Sequence, residues 1–180
     1  FDEPHALHVG MLARSLFHQM ADQHGLDMRY ETILYIAAVL HEIGVFISST
    51  SYHKHSLYLI RNSELFGIGP TNLELIAQVA RYHRRASPKQ SHKRYMALDR
   101  DQRVVVSKLA SILRIAVALD ASRSQNIHSI QVARSNGKLV VSTDDVNDLT
   151  LEQLALKQSG TLFEETYGVP VILSVSMETG

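Results

Sequence analysis

Apolar residues recur at helical spacing through the first 123 residues of this 180-residue chain and then change period, so a helical core should come first and a sheet after it. Residues 4 to 23, PHALHVGMLARSLFHQMADQ, set Leu7, Met11, Leu12, Leu16 and Met20 in one stripe, with Pro4 suited to a first turn and Gly25 to a stop. Residues 30 to 43, YETILYIAAVLHEI, are apolar on more than one face, which suits a helix in the middle of a bundle that ends at Gly44. A third helix is expected from His53 to Glu64, ahead of the breaker run GIGP. Thr71 and Glu74 make a capping-box pattern for a fourth that reaches about Arg84. Asp99 opens the longest, DRDQRVVVSKLASILRIAVALDAS, striped by Leu109, Leu113, Ala116 and Leu119.

After Ser124 the segments IHSIQVA and KLVVST flank RSNG, a hairpin signal. A helical stretch from about Thr150 to Tyr167 and a strand in PVILSVSM complete a ββαβ unit. The expected fold is mainly α: an all-helical domain over residues 1–124 and a small α/β appendage over residues 125–180. No flexible linker separates them, so the two should pack closely.

The chain has no cysteine, which excludes disulfides and thiolate-zinc sites together; a metal here would be held by imidazole and carboxylate. No run approaches the ~18 apolar residues of a membrane span, and the opening FDEPHALH is acidic where a secretory leader is basic. A cytoplasmic protein with no membrane partner is the expectation, with Phe1 a cut end or preceded by further residues of a longer protein. Formal charge sums to zero, but not locally: residues 81–103 hold eight Arg and Lys against two Asp, and residues 141–165 hold six acids against one Lys. A neutral chain can still turn a basic surface toward a polyanion, although solvated helix ends would read the same way. Nucleic acid is disfavoured as that polyanion by the neutral total and by the sparse aromatics in the basic stretch, Tyr82 and Tyr95.

Ten histidines are many for this length, and His5, His41, His53, His55 and His83 fall near ends of the expected helices. Neutral imidazoles ligate divalent metals, and a carboxylate beside one supplies charge and orientation. The pair His41-Glu42 in LHEIG is therefore either part of a metal site drawn from several helices or a hydrogen-bonded polar pair at a helix end.

The order HALHV, LHEIG, YHKHSLYLIRNSELFGI, LELIAQVARYHRR and KLASILRIAVALDASRSQ resembles the carboxy-terminal half of the exopolyphosphatase/guanosine pentaphosphate phosphohydrolase family, over essentially the whole chain. The resemblance implies an all-helical domain related to the HD phosphohydrolases, followed by a small α/β unit. Family members carry actin-like domains ahead of this half, with Gly-rich phosphate loops and the carboxylate that activates water. This chain has no such loop, since GIGP lacks the spacing and the preceding strand.

In metal-dependent HD enzymes the ligands are a first His, an adjacent His-Asp pair and a later Asp. By that resemblance His5 and His41 match, Glu42 replaces the Asp, and Val117 stands where the later Asp would be, with Asp120 a substitute one turn on. The implied function is an accessory domain with a degenerate metal site and no expected cofactor. It would bind polyphosphate or a guanosine polyphosphate through His53, His55, Arg81, His83, Arg84, Arg85, Lys89, Lys93 and Arg94, and form a homodimer. The alternative is an autonomous HD phosphohydrolase acting on a nucleotide phosphate, with Mn or Mg held by His5, His41, Glu42 and Asp120.

Overall fold

A computed structural model describes residues 1–46, 50–63, 65 and 67–176. Helix α1 (Glu3–Gln19) begins where Asp2 accepts a bond from the His5 amide, with Pro4 in the first turn. Its buried face is Val9, Leu12, Ala13, Leu16 and Phe17. Leu7 and Met11, expected in the apolar stripe, are 46% and 41% exposed, because the face turned to α3 (Tyr30–Leu40) runs through Gly10 instead. A Cβ on Gly10 would stand 2.8 Å from the Tyr35 ring, so glycine sets how near the two helices lie. The short α2 (Ala21–His24) ends on Gly25, whose φ of 60° makes the expected stop.

Helix α3 ends at Leu40, one turn short of the expected Ile43, and His41 caps it with Glu42 in the turn that follows. Gly44 serves less as a terminator than as a point of contact. A Cβ there would lie 2.2 Å from the Tyr52 carbonyl oxygen and 2.4 Å from the Ser56 amide nitrogen, at the head of α4 (Tyr52–Arg61). The Ser56 hydroxyl completes the junction, accepting from the Gly44 amide and donating to the His41 carbonyl at 2.9 Å each. The expected end of this helix at Glu64 lies outside the described residues.

Helix α5 (Pro70–Arg81) starts at Pro70 with Gly69 as its cap, and the capping box expected from Thr71 and Glu74 is not formed. Glu74 is drawn away by Arg61 of α4 and by Gln78, at 2.5 and 2.8 Å. Its helix also stops at Arg81, short of the expected Arg84. A brief α6 (Lys93–Met96) follows before the last long helix. The capping box forms at α7 (Arg100–Leu119) instead, where Asp99 takes the Gln102 amide and Gln102 returns a bond to the Asp99 amide.

Strands β1 (Gln131–Ser135) and β2 (Lys138–Thr143) pair antiparallel around Asn136 and Gly137, both at positive φ as a tight hairpin requires. The expected single helix divides at Gly160 into α8 (Thr150–Ser159) and α9 (Thr161–Tyr167). Strand β3 (Val171–Val175) then returns parallel to β2, giving the order β1-β2-β3. Leu156, Leu162 and Phe163 join Leu139, Val141 and Leu173 in the apolar core that also contains Leu109, Ile112 and Leu113 of α7, with Val146 packed against it. Gln19 of α1 bonds the Ile130 carbonyl and the Val132 amide at 2.9 Å each, tying the helices to the otherwise open edge of β1. The fold is thus mainly α with a small α/β unit resting on α7 through α8 and α9. Among the described residues no helix is long and apolar enough to cross a membrane.

Candidate functional site

The first turn of α1, the end of α3, the start of α4 and the ends of α5 and α7 bring His5, His41, Glu42, Tyr52, His83 and Asp120 together. His41 and His83 close their helices in the same way. Each turns Nδ1 back onto the carbonyl three residues earlier, Ala38 or Ala80, at 2.5 Å. A carbonyl only accepts, so Nδ1 carries the hydrogen and Nε2 is turned away from the helix. The two rings meet edge to face with centroids 4.9 Å apart.

His83 Nε2 lies 3.0 Å from the Tyr52 hydroxyl, which donates to it, so both ring nitrogens are occupied. Burial, with help from the nearby His41, pushes its pKa well below that of a free histidine. His83 therefore stands neutral, a structural member rather than an added positive charge.

Three atoms converge on one carboxylate oxygen, Glu42 Oε1. His5 Nε2 is 3.1 Å away, His41 Nε2 3.3 Å, and Arg123 Nη2 2.8 Å. The two imidazole contacts are close but out of line, and neither nitrogen completes a hydrogen bond. Arg123 does donate one, and its other arm reaches Asp2 Oδ2 at 3.2 Å. Burial raises the Glu42 pKa, but the close imidazoles of His41 and His5 and the charge of Arg123 outweigh it and hold the carboxyl below its usual range. For His5, burial is the largest influence and pulls the pKa down; the Asp120 and Glu42 carboxylates together reverse it, leaving a net rise.

His5, His41 and Glu42 offer ligand atoms all within 4.8 Å of one another. Asp120 is not the fourth. It stands behind His5, with Oδ2 2.6 Å from Nδ1, and Gln125 holds both its oxygens through amide and side chain at 2.9 and 3.1 Å. That is the place of a group that orients a histidine from the far side. Val117 at the remaining position offers no donor, and the guanidinium of Arg123 already supplies positive charge to Glu42. The two unbonded Nε2 atoms suit a cation, but the donors make only part of a divalent site.

The predicted polyanion residues fall into two groups. His53 is buried on α4, and burial followed by the charges of Arg84, Lys54, Arg81 and Arg85 lowers its pKa to about 4. His55 is half-buried on the same helix. Arg84 lies over the Tyr52 ring at 4.6 Å and Arg81 over the Tyr82 ring at 5.1 Å. Arg84 and Arg85 line a cleft of about 390 Å³ with His5, Asp120 and Arg123, so this half adjoins the buried cluster. Lys93 and Arg94 line a separate groove beside Arg61 and Glu74, and Lys89 is exposed in the loop before it.

Arg123 and Arg114 were not anticipated. A lone arginine beyond a helix end carries no spacing signal, and Arg114 lies buried within α7, where its register suggests only packing.

A helical domain with a buried imidazole–carboxylate cluster, met from the surface by a guanidinium and beside a cation-lined cleft, is the class this fold and site define. Residues 1–161 match the family model described as Ppx/GppA phosphatase, domain III. The chain belongs to that family. It is 34% identical over 95 residues to a guanosine-5'-triphosphate,3'-diphosphate pyrophosphatase of Pseudoalteromonas translucida, covering 53% of this chain and 18% of that protein. It is also 28% identical over 149 residues to the protein of that name from Pseudoalteromonas atlantica, covering 77% of this chain and 28% of the relative. The Aeromonas hydrophila protein of the same name is 32% identical over 125 residues, covering 69% and 25%. The chain thus spans between about a fifth and a little over a quarter of the length of these relatives.

Proposed function

We propose that this is an accessory helical domain, HD-like in descent, of a Ppx/GppA-type phosphatase. It binds a phosphate polyanion, guanosine polyphosphate or polyphosphate, and does not hydrolyse it alone. The observation that carries the reading is the charge left uncompensated: among the described residues none of Arg81, Arg84, Arg85, Lys89, Lys93 and Arg94 forms an ion pair. Cations held without carboxylate partners suit an anion that arrives from outside, and arginine forks match phosphate oxygens two at a time. The relatives' name, which specifies a guanosine polyphosphate, supports that ligand class. Exposed Leu7 and Met11 on α1 and Leu151 and Leu154 on α8 leave apolar surface for the homodimer the reading also includes.

Binding of long-chain polyphosphate to the chain and to the Arg84→Ala, Arg85→Ala double variant tests this. The reading expects at least tenfold weaker binding in the variant, and equal binding would remove it. The second reading, a Mn- or Mg-dependent hydrolase of nucleotide phosphates, draws on the two unbonded Nε2 atoms of His5 and His41. It requires phosphate release that depends on added Mn or Mg and is lost in His41→Ala.

A further inference from the structure

A second cavity, of about 410 Å³, opens between the first half of α7 and α9, and its lining shares no residue with the set given to the polyanion. Arg100, Arg103, Val104, Ser107 and Lys108 follow one another along a single face of α7, at the spacing of three and four that keeps helix side chains together. Leu162, Glu165 and Thr166 of α9 form the facing wall, with Tyr95 of α6 at one side.

Three of these side chains are cations and one is a carboxylate, yet among the described residues none of Arg100, Arg103, Lys108 and Glu165 forms an ion pair. Charges of both signs that line one cavity and stay apart suit a ligand that carries both signs itself. Arg100 is exposed in the first turn of α7, where the helix dipole disfavours a cation, and it makes no hydrogen bond to any described residue. A local rule broken with no return inside the fold points to a use outside it. Arg103 donates from Nη1 to the carbonyls of Leu98 at 2.6 Å and Met96 at 3.3 Å, which fixes its fork and leaves Nε and Nη2 to donate elsewhere. Lys108 gives one hydrogen of Nζ to the His24 carbonyl at 2.5 Å and keeps two.

We propose that this cavity binds an acidic α-amino acid, with its two carboxylates on Arg100 and Arg103 and its ammonium on Glu165. Arginine forks match carboxylates two oxygens at a time, and the charges agree in kind: two negative and one positive on the ligand meet three positive and one negative on the wall. Val104 and Leu162 give the carbon chain an apolar surface. The Thr166 hydroxyl accepts from Ser111 at 3.3 Å, so its own hydrogen is left for a carboxylate oxygen. A phosphate polyanion would gain from the cations here but meet repulsion from Glu165, so the site stands independently of the polyanion reading. The volume lies in the usual small-molecule range of ~300–1,000 Å³.

Isothermal titration calorimetry of this chain tests the idea, with L-glutamate and L-aspartate and with glutarate and succinate, the same skeletons without the amino group. At least one of the two amino acids should bind, about fivefold more tightly than its diacid, the worth of one partly exposed ion pair. Glu165→Gln should abolish that preference. Arg100→Met should weaken amino acid and diacid alike by about fivefold, while its melting temperature stays level or rises, because a cation leaves the positive end of the helix dipole. No binding of either amino acid at millimolar concentration would overturn the proposal. A diacid that binds as tightly as its amino acid, or more tightly, would overturn the assignment of the ammonium to Glu165 and with it the ligand class. Unchanged affinity in Arg100→Met would overturn the placement in this cavity.

Discussion

Replacing Arg123 with methionine keeps most of the side-chain bulk and removes the cation that faces Glu42. Losing one partner of a fully buried ion pair costs roughly 3–5 kcal/mol, and losing an exposed pair about 0–1 kcal/mol. This pair lies between those limits, because the Glu42 side chain is 11% exposed and that of Arg123 is 45%. About 2 kcal/mol of lost stability is therefore expected, with water reaching the carboxylate for part of the difference. The backbone sharpens the test. With φ at 55°, methionine keeps the strain that arginine bore, so Arg123→Gly should retain about 1 kcal/mol more stability than Arg123→Met. Metal response supplies a second readout, since the methionine variant leaves Glu42 Oε1 and two imidazole nitrogens without their guanidinium. Zn²⁺ at a hundred times its dissociation constant would return about 2.7 kcal/mol to that variant. Urea denaturation of wild type and both variants, with and without Zn²⁺, reads all three effects. A methionine variant as stable as wild type, or equal stabilisation of wild type by Zn²⁺, would refute the claim that Arg123 serves as the cation of this cluster.

Gly44→Ala should cost roughly 3 kcal/mol or more, as the added carbon meets backbone atoms of α4 rather than a side chain that could move; thermal unfolding measures it. Asp99→Ala removes the capping box of α7 and should cost about 1 kcal/mol in the denaturation midpoint converted to free energy. Stability should fall on acidification from pH 7.5 to 5. His24, His53 and His83 have folded pKa values below the ordinary 6.5, so their contribution is present above 6.5 and is lost as pH falls toward those values. His5 runs the other way: its raised pKa gives a contribution complete below 6.5 and lost as pH climbs through the folded value. His5→Gln should therefore enlarge the acid-side loss, and denaturation curves at the two pH values would show a smaller loss if this is wrong.

Much of the fold was legible because local chemistry and packing agreed. The α7 stripe is buried as its period implies, and RSNG places Asn136 and Gly137 where a tight hairpin needs positive φ. The readings that changed are those where a distant partner won. Thr71 and Glu74 carry the letters of a capping box, but Glu74 is spent on Arg61 of α4, a contact no window of sequence contains. The α1 stripe was rotated by the close approach of Tyr35 at Gly10, which exposes Leu7 and Met11. At the site, His5, His41 and Glu42 were legible as a group and do meet. Asp120 was near in register but faces His5 from behind, and Arg123 carried no signal, because its role depends on a left-handed turn after α7 that brings it back to α3.

Binding of a phosphate polyanion through unpaired cations, without hydrolysis, is tested by a single titration with long-chain polyphosphate across a series of salt concentrations, with released phosphate measured in the same samples in the presence of Mn and Mg. The account predicts affinity that falls steeply and linearly on logarithmic axes as salt rises, as counter-ions are displaced by several contacts, with no phosphate released. Salt-independent binding, no binding, or metal-dependent release of phosphate by this chain would contradict it.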